Sequence, residues 1–217
     1  MNKSRALILL SVLSLNLLVS WKGIDKVSVA FYSFTEYCEN DEPDVVKTDW
    51  GHSFIVIYNS TGFYHTVGNY TLYPHRTVSI GLWQKGATSG TSTGSSTGDD
   101  YNGIYYNREE YFYNDVQTMK NAVRYEVTIT NDELSQISDL IIEKNDAYNL
   151  LTYNCATFAT EVFNIVENSS WWTGLGRAPG LFRNDLKDHY AVTYENEVEY
   201  SEDYKHWDSH TSRWTTY

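Results

Sequence analysis

Five stretches of this chain carry strand-like patterns of apolar and polar positions. Lys26–Thr35 (KVSVAFYSFT) alternates through Val27, Val29 and Phe31 and predicts a half-buried strand. His52–Tyr58 (HSFIVIY) and Phe63–Gly68 (FYHTVG) are two further strand-like runs. Asn59-Ser60-Thr61-Gly62 lies between them and has the chemistry of a hairpin turn. Thr77–Trp83 (TVSIGLW) predicts a third strand of that group, and Ala122–Thr130 (AVRYEVTIT) returns to alternation later in the chain. The period then changes. Thr130 and Glu133 have capping-box spacing, and Leu134, Ile137, Leu140 and Ile141 form an apolar stripe at helical period. Asn154 is a good N-cap for a second helix, whose buried face is marked by Phe158, Ala159, Val162, Phe163 and Val166. With no internal repeat, the pattern predicts a single α+β domain.

Two segments stand outside this pattern. At the front, Lys3 and Arg5 precede the apolar run Ala6–Val19, which has the form of a secretory signal with Ser20 as the last residue before cleavage. The run is shorter than the ~20 residues that cross a bilayer, so residues 1–20 are read as a removed signal and the protein as secreted or held in the cell envelope. Residues 86–100 (GATSGTSTGSSTGDD) are Gly, Ser, Thr or Asp at 14 of 15 positions, which predicts a loop without apolar anchors. The domain then spans 21–185, followed by an acidic, Tyr-rich extension over 186–217.

Charge narrows the partners. The chain has 217 residues, with 16 Lys and Arg against 28 Asp and Glu, a formal charge of −12. Removal of residues 1–20 takes Lys3 and Arg5 with it, leaving 14 basic against 28 acidic residues, or −14. Such a surface repels nucleic acid and anionic lipid, which bind through Lys and Arg. The expected partner is therefore extracellular, with no nucleic acid and, after signal removal, no membrane.

The candidate chemistry centres on Cys155. As the first residue of a helix it sits where free N–H groups and the helix dipole stabilise a thiolate, and where the same groups hold an oxyanion. A thiolate nucleophile needs a base and a group to orient that base. His52, directly after Trp50-Gly51, is the candidate base. If Tyr58 pairs with Phe63 across the turn, His52 faces Asn69 and His65 faces Val56 on the same side of the hairpin. Directly opposed Cβ atoms are ~5 Å apart, making Asn69 the candidate orienter. His65 then lies roughly 13 Å along the strand, unless the register slips.

The ordered blocks Gly51-His52-Ser53-Phe54-Ile55 and Tyr153-Asn154-Cys155-Ala156-Thr157-Phe158-Ala159 resemble the circularly permuted papain-like thiol hydrolases. That group includes permuted relatives of NlpC-type endopeptidases and the lecithin-retinol acyltransferase-like enzymes. The resemblance covers roughly residues 50–166. It implies a permuted papain-like core in which an antiparallel sheet bearing His52 packs on the helix that begins at Cys155. It further implies a peptide or peptidoglycan stem amide as substrate and no metal or organic cofactor. The acyltransferase branch places a second His about a dozen residues after the first, which would be His65, whereas papain uses Asn, which favours Asn69. The alternatives are acyl transfer on the same fold, or a non-enzymatic exported binding protein in which Cys155 is buried or bonded to Cys38.

The remaining candidates have ordinary readings beside their functional ones. His206 and His210 are four apart, which on a helix places both on one face, but His206-Trp-Asp-Ser-His210 lacks the Glu of a zinc-protease motif and reads as a solvated tail. Trp171, Trp172 and the tyrosines at 190, 194, 200 and 204 have the chemistry to stack on sugars and equally to fill a core. Asn59, Asn69 and Asn168 each stand in an N-x-Ser/Thr pattern.

Overall fold

The computed structural model describes residues 26–35, 51–84, 102–111, 122–173, 177–198, 205–208 and 213–216. The signal segment 1–20, Cys38, the loop 86–100 and His210 lie outside the described residues.

Among the described residues, ten strands and four helices follow one another. Strands β1 (Val27–Thr35), β2 (Gly51–Asn59), β3 (His65–Val67), β4 (Tyr70–Leu72), β5 (Arg76–Trp83) and β6 (Gly103–Tyr106) come first. The short helix α1 (Arg108–Tyr111) and β7 (Ala122–Ile129) follow, then α2 (Asn131–Glu143), α3 (Cys155–Val166) and α4 (Pro179–His189). Strands β8 (Thr193–Glu195), β9 (Lys205–Asp208) and β10 (Arg213–Thr216) complete the described chain. Eight strands form one antiparallel sheet in the order β10-β9-β6-β5-β2-β1-β7-β8, and β3 pairs with β4 in a separate two-stranded sheet. The fold is α+β. Among the described residues no helix is long and apolar enough to cross a membrane.

Side-chain alternation divides the sheet into two apolar faces. Val29, Phe31, Ile55, Ile57, Val78, Ile80 and Leu82 share a core with Ile137, Ile141, Phe158, Val162, Phe163, Phe182 and Leu186 of the three longer helices. Ala30, Tyr32, Phe34, Phe54, Val56, Trp83 and Tyr105 form a second cluster from the other parity. β1 is therefore buried on both sides rather than half-buried, because it lies between β2 and β7 and its even positions are apolar too. Ser33 is the polar exception. Its Oγ lies 2.8 Å from Ser53 Oγ and donates to the Pro179 carbonyl at 2.8 Å, fastening α4 across β1 and β2.

The predicted capping box of α2 is present, with Thr130 and Glu133 satisfying each other's backbone N–H. The predicted hairpin is not. Asn59 is only 2 % exposed; its Oδ1 accepts from the Thr61 N–H at 2.9 Å, and its Nδ2 donates to the carbonyls of Phe63 and Tyr73 at 2.8 and 2.9 Å. This side-chain turn carries the chain out of the sheet instead of back along β2. The strand predicted at Phe63–Gly68 shrinks to His65–Val67 and pairs with β4 across Gly68-Asn69, where Gly68 adopts φ 59. The partner of β2 on this side is β5, with Tyr58 opposite Thr77.

The C-terminal residues pair into the main sheet: β8 on β7, and β9 on β6 with β10 beyond it. His206 thus lies on strand β9 and not on a helix, while His210 lies outside the described residues. Trp171 stacks on Phe163 with ring centroids 4.2 Å apart and Tyr190 packs against both, so these two aromatics serve the core. Trp172 and Tyr194 are exposed.

Candidate active site

The β2–β5 ladder ends at the pair Ile55–Ile80. Residues 51–54 of β2 and 81–83 of β5 extend beyond it, and the start of α3 meets the sheet at these ends. Cys155 opens α3 because Asn154 caps it. Asn154 Oδ1 accepts from the N–H groups of Ala156 and Thr157 at 3.0 and 3.1 Å, which would otherwise be orphaned. The cap is itself anchored, since Asn154 Nδ2 donates to the Arg177 carbonyl at 2.8 Å and to the Leu150 carbonyl at 3.2 Å. Cys155 is a free thiol, 7 % exposed.

His52 is 3 % exposed and lies between aromatic rings, with Trp83 at 4.4 Å and Phe54 at 5.6 Å between centroids. Its ring is hydrogen-bonded to the Cys155 thiol. Its Nε2 faces Glu109 Oε1 at 3.2 Å. Glu109 is fully buried and accepts two further bonds, from Trp83 Nε1 at 2.7 Å and Ser79 Oγ at 3.0 Å. The neighbouring Arg108 guanidinium covers the Trp83 and Tyr105 rings at 4.3 and 4.6 Å, closing the site from that side.

The electrostatics follow from this packing. Burial alone would raise the Cys155 thiol, but the His52 charge, its hydrogen bond and the N–H groups of Ser53 and Ala156 hold it below the usual range. Burial alone would likewise lower His52. The Cys155 thiolate and the Glu109 carboxylate outweigh it and push the imidazole up to about 9. Both shifts favour a thiolate beside an imidazolium, and Glu109 lies on the Nε2 side of the ring. Tyr148 lies near enough to the sulfur that the thiolate adds to the effect of burial in raising its phenol.

Of the four residues singled out from the sequence, the structure brings Cys155 and His52 together. It places Asn69 on the exposed tip of the β3–β4 turn, where its backbone N–H donates to the Tyr106 hydroxyl at 3.1 Å. The residue opposite His52 is Phe34 of β1, not Asn69. His65 is half-buried in the small sheet, its Nε2 3.0 Å from Thr61 Oγ1. The register that set Asn69 against His52 fails because β2 and β3 belong to different sheets.

Glu109 went unnoticed in the sequence for a physical reason. It is one of 28 acidic residues, in a segment without periodicity, and it reaches His52 only because β6 lies beside β5 and β5 beside β2. The single signal was Gly81, an isolated glycine inside a strand pattern, which marks a close approach.

Among the described residues no group of three or more His, Cys, Asp or Glu is arranged to hold a metal ion. No protein-family model matches the chain, and no curated protein matches it. Among solved structures, the type VI secretion system effector TseH superposes with a TM-score of 0.39 and 13 % identity, over 89 % of this chain and 98 % of its own. That likeness is too low to bear on the reading of the site.

Proposed function

We propose that the protein is an exported thiol hydrolase acting on an amide or ester, with Cys155 as nucleophile, His52 as the proton carrier and Glu109 holding the His52 ring. The observation that carries this reading is the buried hydrogen-bonded series Cys155–His52–Glu109 at a helix start. In acylation, the Cys155 thiolate attacks the acyl carbon and forms the S–C bond. The Asn154 cap takes the N–H groups of Ala156 and Thr157, so the Cys155 N–H is the helix-start donor for the oxyanion. His52 gives its proton to the departing amine or alcohol as the C–N or C–O bond breaks. Water then adds to the thioester, His52 takes the proton, and the acid leaves as Cys155 returns to thiolate. The substrate class proposed is a peptide or peptidoglycan stem amide outside the cell, which agrees with an acidic chain bearing a signal-like front segment and with the resemblance to permuted papain-like hydrolases.

The test combines thiol reactivity with turnover. Iodoacetamide should alkylate Cys155 well below pH 8, and the protein should release fragments from peptidoglycan or a peptide amide while Cys155→Ala releases none. Asn69→Ala and His65→Ala should keep turnover within about twofold, the range of substitutions away from a reacting centre. Alkylation confined to alkaline pH, or a Cys38–Cys155 bridge in the native protein by mass spectrometry, would overturn the reading.

A further inference from the structure

We propose that Ser79, Gly81 and Trp83 form a seat that fixes the Glu109 carboxylate against His52, with Gly81 as a positioning residue; this rests on the thiol-hydrolase reading above. The three residues alternate along β5 and share one face, with ~6.6 Å between successive members. A carboxylate lying over the middle position can therefore take a donor on each side. Glu109 does so, with Ser79 Oγ on Oε2 and Trp83 Nε1 on Oε1. The middle of the seat must be empty. A Cβ on Gly81 would stand 1.7 Å from Glu109 Oε1, 2.8 Å from its Cδ and 3.0 Å from His52 Nε2. No rotamer change at residue 81 relieves that overlap, since Cβ is fixed by the backbone. Glu109 would have to leave, and its bonds to Trp83, Ser79 and His52 would leave with it.

Backbone conformation does not explain this glycine. The described glycines with positive φ are Gly68 and Gly103, and Gly81 is not among them. Glycine inside a strand weakens it relative to alanine, and β5 is buried from Val78 to Trp83. Space, not torsion, is what position 81 supplies. The seat also accounts for the identity of Trp83, whose ring flanks His52 while its N–H holds the carboxylate that flanks it from the other side. One strand thus sets both the face and the partner of the imidazole.

The experiment is a cycle of Gly81→Ala in two backgrounds, read by the rate of Cys155 alkylation by iodoacetamide at pH 6 and by thermal melting. In the wild-type background Gly81→Ala should slow alkylation about tenfold, the loss of thiolate that follows each unit rise in thiol pKa. In a Glu109→Ala background the carboxylate is gone and only the 3.0 Å approach to His52 Nε2 remains, so the added methyl should change rate and melting temperature far less than in the wild-type background. Equal losses in both backgrounds, or no loss in the wild-type background, would overturn the proposal. Should Gly81→Ala fail to fold, Gly81→Ala/Glu109→Ala must still fold and melt near Glu109→Ala; its failure to do so also overturns the seat. The underlying reading fails separately, through wild-type Cys155 that reacts at pH 6 as an ordinary thiol.

Discussion

Replacing His52 by alanine is expected to slow Cys155 alkylation at pH 6 by about a hundredfold or more. Burial raises a thiol, and a nearby cation is what lowers it. In this protein burial is the largest influence on Cys155, and His52 supplies both the opposing charge and a hydrogen bond. Without the imidazole the sulfur becomes a buried neutral thiol with little nucleophilic character. The same pair sets the pH range of the intact protein. The folded-state value of His52 is raised to about 9 from 6.5, so its contribution is complete below 6.5 and is lost as pH rises through 9. Cys155 is shifted the other way, so its contribution is lost as pH falls through its lowered value. On the alkaline side, kcat/KM on any cleaved substrate should therefore fall near pH 9. A His52→Ala protein that folds and still alkylates at the wild-type rate at pH 6 would remove His52 from the site.

Phe163→Ala should cost about 4 kcal/mol of folding stability, measured by urea denaturation. Phe163 is fully buried on α3, two turns beyond Cys155. Its ring meets Phe31 and Phe182 edge-on at 5.3 and 6.0 Å, stacks on Trp171 at 4.2 Å and abuts Tyr190 at 5.2 Å. Alanine would leave a cavity faced by these rigid rings, which cannot close over it as flexible aliphatic chains can. Aromatic pairs contribute ~0.5–1.5 kcal/mol each beyond their buried area, which puts the loss at the upper part of the range for such truncations. Because domains of this kind are stable by only ~5–15 kcal/mol, the substitution should also lower the melting temperature sharply. A loss under about 1 kcal/mol would mean that α3 is not held to the sheet by this cluster.

The elements with strong local signals were legible in the chain itself. Strand-like apolar patterns located β1, β2, β5 and β7, and the caps Thr130 and Asn154 located the starts of α2 and α3, because these signals depend on residues within a few positions of each other. Cys155 was conspicuous for the same reason, as the residue after a good cap. What the sequence could not state was pairing. Hairpin chemistry at Asn59–Gly62 suggested that β2 folds back on the next strand, but the buried Asn59 amide spends its hydrogen bonds turning the chain away, and β5 takes that place. Only then does Glu109, two elements further on, come to lie over Gly81 and against His52. Local periodicity determines which residues share a face of a strand. Which faces meet depends on strand order, which is settled by burying both sides of the sheet at once, and that is what brings Glu109 to His52.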